Sequence, residues 1–247
     1  MEPVPSPHDR HRHYRYYDYL MAAFVTVLLC SNLIGPAKVA EVDFSWLPLV
    51  GGALVFGAGN IFFPISYIFG DVLTEVYGYA RTRKVIWAGF FAIIFASIMS
   101  AVIIQLPVAG SEPFNQSLQT SLEIVFGNTW RVVVASILAF WVGDFVNAYV
   151  LAKMKLWTRG KYLWTRTIGS TIFGQGIDSL IFYPIAFYGI WENQTLLQVI
   201  LFNGLFKISI EVIMTPATYA VVGWLKRREG EDFYDTDTNF TPFSVSD

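Results

Sequence analysis

Apolar residues run along this chain in blocks of about twenty, broken by short polar or Gly/Pro-containing stretches, and show no sustained alternation. A bilayer core about 30 Å thick offers backbone amides no water, so a mostly apolar helix of about 20 residues is the unit that crosses it. Six such blocks are predicted at 17–34, 60–79, 85–106, 130–151, 167–190 and 196–225. They make the chain an all-α integral membrane protein, a six-transmembrane-helix bundle forming one domain over 17–226. A seventh apolar stretch, 42–59, contains Pro48 and four glycines (Gly51, Gly52, Gly57 and Gly59) and is assigned to an external hairpin or re-entrant segment packed against protein.

Basic residues flanking helix ends mark the cytoplasmic side. Alternate connections hold Arg10, Arg12 and Arg15, then Arg81, Arg83 and Lys84, then Lys153, Lys155, Arg159, Lys161 and Arg166, then Lys226, Arg227 and Arg228, together 14 of the 17 Lys and Arg. Lys38 and Arg131 fall on the other side, and Lys207 lies within a span. Both termini are therefore expected in the cytoplasm, at the plasma membrane of a prokaryote. Residues 1–16 read as a flexible basic tail and 227–247 as a polar one, both mobile. The first apolar block is too long for a signal-peptide core and lacks a following A-x-A site, so it is read as a retained helix.

Composition agrees with this reading: 54% of the residues are hydrophobic and 15% charged, with a mean hydropathy of +0.47, against about 25% charged in soluble domains. A net charge of -2 leaves no cationic excess for nucleic acid. Cys30 stands alone, which excludes an internal disulfide or a multi-cysteine metal site, and His8, His11 and His13 all lie in the N-terminal tail. No metal and no cofactor is expected.

Ionisable side chains within a span are costly and so are functional candidates. At a rise of about 1.5 Å per residue, Asp71 and Lys207 lie about 17 Å, Asp144 about 21 Å and Glu211 about 22 Å from the outer edge, and Asp178 about 18 Å from the inner one. Residues sharing a helix face extend these positions into stripes: Asn60, Tyr67, Asp71, Thr74 and Glu75; Gly143, Asp144 and Asn147; Thr171, Gln175 and Asp178; Asn203, Lys207 and Glu211. All four stripes are expected to converge on one interior cavity. Lys207 and Glu211, spaced i, i+4, either neutralise each other or reach a ligand, and Asn147, Asn203 and Gln175 either join helices or read a solute. One lysine cannot compensate Asp71, Asp144 and Asp178 together, which favours a functional role for these three. Gly174 and Gly176 suit close helix packing. Gly70-Asp71 followed by Thr74 and Gly143-Asp144 followed by Asn147 form a faint internal echo that would make the two aspartates equivalent.

The run Phe63-Pro64-Ile65-Ser66-Tyr67-Ile68-Phe69-Gly70-Asp71-Val72-Leu73-Thr74-Glu75-Val76-Tyr77-Gly78 resembles the signature of the queuosine precursor transporter family, small membrane proteins similar to vitamin-uptake substrate-binding proteins. Arg131 with Ala135-Ser136, the run Thr165 to Thr171, and Ile177-Asp178-Ser179-Leu180-Ile181-Phe182 extend the resemblance, which covers about 18–226. The resemblance implies import of a 7-deazaguanine queuosine precursor, in its cyano or aminomethyl form, at a midmembrane site drawn from Asn60, Tyr67, Asp71, Glu75, Asp144, Asn147, Gln175, Asp178, Asn203, Lys207 and Glu211. The partners implied are this purine-like small molecule and the lipid bilayer, with no nucleic acid; a homodimer is left open.

Two other classes stand beside it. The chain has no G-x-x-x-x-G-K-[ST] loop, so it could be a substrate-binding subunit, for a related heterocycle or vitamin, that needs a separate energising module. An intramembrane aspartyl protease also needs two membrane aspartates. Trp141 occupies the first Gly position of the G-x-G-D pattern, and no Tyr-Asp pair lies deep within a span, Tyr17-Asp18 standing at the very start of the first, which argues against it. An enzyme is not expected.

Overall fold

The computed structural model describes residues 13–33, 39–43, 53–57, 61–109, 112–127, 130–190 and 192–244. Among them are seven helices, α1 (Tyr17–Leu33), α2 (Phe63–Tyr77), α3 (Tyr79–Gln105), α4 (Pro113–Phe126), α5 (Trp130–Trp157), α6 (Leu163–Phe187) and α7 (Asn193–Glu229). Two strands, β1 (Val39–Asp43) and β2 (Ala53–Gly57), pair antiparallel between α1 and α2, with Val39 opposite Gly57 and Asp43 opposite Ala53. The body is thus helical, and the described part of the 42–59 stretch is extended chain.

α3, α5 and α7 are long and apolar enough to cross a membrane, and α1 is apolar but only 17 residues long. α2 and α6 are interrupted by the polar residues that make them interesting, among them Asp71, Glu75, Gln175 and Asp178. Large apolar side chains such as Phe95 on α3 and Leu205 and Ile213 on α7 are exposed on the outside of the bundle, where lipid contacts them at no hydrophobic cost. α4 differs: it is a short amphipathic helix with Phe114, Leu118 and Ile124 exposed and nothing buried. It lies between the third and fourth predicted spans, where no element was expected.

Two breaks shape the bundle. Gly78, at φ 84°, separates α2 from α3, and a side chain there would collide with the Phe233 ring, 2.3 Å from the position a Cβ would take. Pro184 lies in the last turn of α6 and cannot donate to the helix ladder. Arg131, at the start of α5, donates to the carbonyls of Pro184, Ile185 and Tyr188 at that end.

The C-terminal residues overturn the expectation of a mobile tail. Residues 226–229 continue α7, and the segment beyond Gly230 packs across the basic end of the bundle. Asp235 is buried and accepts a hydrogen bond from the Tyr79 N–H at 3.0 Å, which caps α3. Arg83 donates to the carbonyls of Asn239 and Thr241, Tyr79 to that of Phe240, and Trp87 to that of Pro242. The N-terminal segment joins the same end, since Tyr14 donates to Glu231 and the Arg15 and Tyr16 N–H groups donate to Glu229.

Candidate functional site

The site starts from a glycine contact. α5 packs most extensively on α6, and a Cβ on Gly174 would lie 2.7 Å from Asn147 Cβ and 2.9 Å from the Gly143 carbonyl. Only glycine at both positions lets these backbones approach so closely. The contact holds Asp144 and Asn147 of α5 beside Gln175 and Asp178 of α6. α7 then brings Lys207, whose Nζ donates to Gln175 Oε1 at 2.8 Å and to Asp178 Oδ2 at 2.7 Å.

These groups line a cavity of about 390 Å³, a size suited to one small ligand. Of the expected site residues, Asp144, Asn147, Gln175, Asp178, Asn203 and Lys207 line it. Asp144 has no hydrogen-bond partner among the described residues, whereas Asp178 and Gln175 are engaged by Lys207 and the Asn203 amide donates to the Val199 carbonyl. Phe140, Phe182 and Tyr183 supply aromatic wall. Asn32, Ser66, Ser97, Ser100 and Ser136 add a polar lining outside the ionisable stripes, marked in the sequence only as small hydroxyl and amide residues inside apolar runs. Asn32 and Ser136 are hydrogen-bonded to each other at 3.1 Å.

Each of the four stripes reaches this cavity, the first through Thr74 alone, but not every residue of the stripes lines it. Asp71, Glu75 and Glu211 are buried behind its wall, not on it. Glu75, fully buried, is held by Arg166 through Nε to Oε2 at 2.7 Å and Nη2 to Oε1 at 2.8 Å, by Lys226 at 2.5 Å and by Lys155 at 3.5 Å. This is a structural ion cluster at the basic end. Lys207, one turn from Glu211, reaches across to α6 and leaves the Glu211 carboxyl oxygens without a donor. Asn60 lies outside the described residues, and Tyr67 is placed only as a position in α2.

An apolar helical bundle with a polar, charged cavity sized for one small solute defines a class: integral membrane proteins that handle a polar small molecule. The chain belongs to the family described as "Putative vitamin uptake transporter", whose model matches residues 57–221. It is 32% identical over 204 residues to the "Probable queuosine precursor transporter" of Bacillus subtilis, covering 82% of each chain. It is also 26% identical to the "Probable queuosine precursor transporter" of Haemophilus influenzae, over 66% of this chain and 67% of that one. The "Queuosine precursor transporter" of Escherichia coli is 24% identical over 66% and 71% of the two chains. No solved structure matches the chain. The protein is thus a transporter and not an enzyme, and it crosses the plasma membrane of a prokaryote several times.

Proposed function

We propose that this chain imports a 7-deazaguanine precursor of queuosine, cyano or aminomethyl, through the cavity that α1, α2, α3, α5, α6 and α7 line. In this reading the bundle crosses the bilayer six times with both termini cytoplasmic, as the placement of 14 of its 17 basic residues favours. The solute site is Asp144, Asn147, Gln175, Asp178, Asn203 and Lys207. The names of the three relatives support the substrate class.

The observation that carries the reading is Asp144, an uncommitted carboxylate facing the cavity. A guanine-like edge presents adjacent N–H donors, which one carboxylate accepts as a bidentate pair. Gln175 and Asn147 offer amides for the carbonyl edge, and the flat bicycle suits Phe140, Phe182 and Tyr183. An aminomethyl cation would gain further from the carboxylates around a single lysine.

Reconstitution of the purified single chain into liposomes, with uptake of labelled cyano and aminomethyl 7-deazaguanine, tests this. Uptake without any other protein is the expected result; a strict need for an ATP-driven partner would make the chain a binding subunit instead. Asp144→Asn should weaken binding about tenfold or more, the equivalent of about 1.5–3 kcal/mol for a charged hydrogen bond. Unchanged affinity in a folded Asp144→Asn protein would remove the carboxylate from the site.

A further inference from the structure

Beside the cavity, where α2 packs on α7, two carboxyl groups meet. Asp71 and Glu211 are each 1% exposed, and their side chains lie within hydrogen-bonding reach of each other. Asp71 Oδ2 and both Glu211 oxygens are buried without a donor, and Asp71 Oδ1 has only the Asn147 amide, at 3.5 Å. A buried polar atom left unpaired is costly, and two adjacent buried carboxylates repel each other as well.

Among the described residues, the nearby cations are engaged elsewhere. Glu75, one turn from Asp71 on α2, adds like charge, although Arg166, Lys155 and Lys226 already balance it. Lys207, one turn before Glu211 on α7, is committed to Asp178 and Gln175 of α6. From α5, Asp144 faces Asp178 and Lys207, and Asn147 brings a neutral amide. α1 and α3 carry charged residues only in their first two turns, Asp18, Arg81, Arg83 and Lys84. One hydrogen ion is the ligand that cures both faults: it supplies an O–H donor between two acceptors and removes one of the two charges.

We propose that Asp71 and Glu211 hold a single proton between them and form a proton site for coupled transport, separate from the solute cavity. The proposal rests on the transport reading above and extends it to the energy source. Asn147 is the physical link, because it lines the cavity and also donates to Asp71. A solute that draws its amide away deprives Asp71 of its weak donor and changes the affinity of the pair for the proton; by linkage, the proton changes the affinity for solute to the same degree. Loss of the proton leaves like charges facing each other across the α2–α7 contact, which drives those helices apart. The proton is carried from the side where it is abundant to the side where it is scarce.

The full chain in liposomes gives the test, with 7-deazaguanine precursor as the probe. Exchange of labelled against unlabelled precursor without a gradient reads solute recognition, and net accumulation under an imposed pH gradient, with and without a proton ionophore, reads coupling. Wild type is expected to exchange and to accumulate only while the pH gradient stands. Glu211→Gln and Asp71→Asn, neutral mimics of the protonated pair, should keep exchange and lose at least tenfold in accumulation. Accumulation driven by sodium alone, wild-type exchange with no accumulation under a pH gradient, or full pH-driven accumulation in both variants would each overturn the proposal. Infrared spectra of the purified protein need no solute and decide the proton directly. With Asp144→Asn introduced in every sample, a protonated-carboxyl band at neutral pH is expected when Asp71 and Glu211 are both present and should be lost in either variant; its absence with both present, or its persistence in both variants, refutes the shared proton. Absence of exchange with this band present would instead defeat the assigned substrate and leave the proton site standing.

Discussion

Glu75 and Asp144 are both carboxylates within apolar helices, and their surroundings give them different work. Glu75 is wholly enclosed and satisfied by Arg166, Lys155 and Lys226. Breaking a buried ion pair by neutralising one partner costs about 3–5 kcal/mol, because the other charges stay buried and unpaired. Glu75→Gln should therefore lower the thermal unfolding midpoint in detergent sharply. Asp144→Asn should leave that midpoint close to wild type while weakening the solute. Equal melting of Glu75→Gln and wild type would show that the cluster contributes nothing net. Periodicity marks both residues as interior, and that much was legible in the sequence. Their separation was not, because the deciding partner of Glu75, Arg166, is 91 positions away and counts in the sequence as one more basic loop residue.

At the scale of elements, the site depends on how closely α5 and α6 approach. A methyl at Gly174 would meet Asn147 Cβ at 2.7 Å and the Gly143 carbonyl at 2.9 Å, and backbone cannot yield as a flexible side chain can. Gly174→Ala is expected to separate the two helices, at an overpacking cost of about 1–3 kcal/mol, and to weaken precursor binding by pulling Asp144 and Asn147 away from Gln175 and Asp178. Gly176→Ala, with nothing within 4 Å of its Cβ position, should match wild type in both melting and binding titrations; a Gly174→Ala protein as tight-binding as Gly176→Ala would contradict this packing account. The same geometry resolves the Gly-Asp echo. Asp144 faces the cavity and Asp71 faces Glu211, so two similar dipeptides serve different surfaces. Long apolar helices were legible because a bilayer imposes their length. α4 was not, since its 14 residues are too few and too polar to register as a span.

For the whole molecule, the C-terminal segment ties the basic ends of the helices together, and its polar composition hid this. Charge clusters normally mark solvated chain, yet Asp232 here receives Lys155 at 2.5 Å and Lys226 at 2.7 Å, and Lys155 also donates to the carbonyls of Glu75 and Phe233. Partial burial pushes the Asp232 carboxyl up, but the hydrogen bonds and charges of the two lysines outweigh it and hold the group below its ordinary value of 3.8. An acid lowered in the folded state lends stability that is complete above its unfolded value and is lost as pH falls through the lower folded one. Asp235 has the opposite sign: burial raises it despite the hydrogen bonds from Thr238 and the Tyr79 N–H, so its contribution is present in acid and declines as pH rises through the raised value. Thermal unfolding of the full chain in detergent across a pH series separates the two. Asp232→Asn should melt below wild type at neutral pH, and the gap should close only below about pH 4, where the wild-type carboxylate is protonated too. A gap that persists unchanged into acid would mean that the loss comes from the changed side chain and not from its charge, and equal melting at neutral pH would mean that the backbone contacts of Arg83, Trp87 and Lys155 hold the segment without the Asp232 charge.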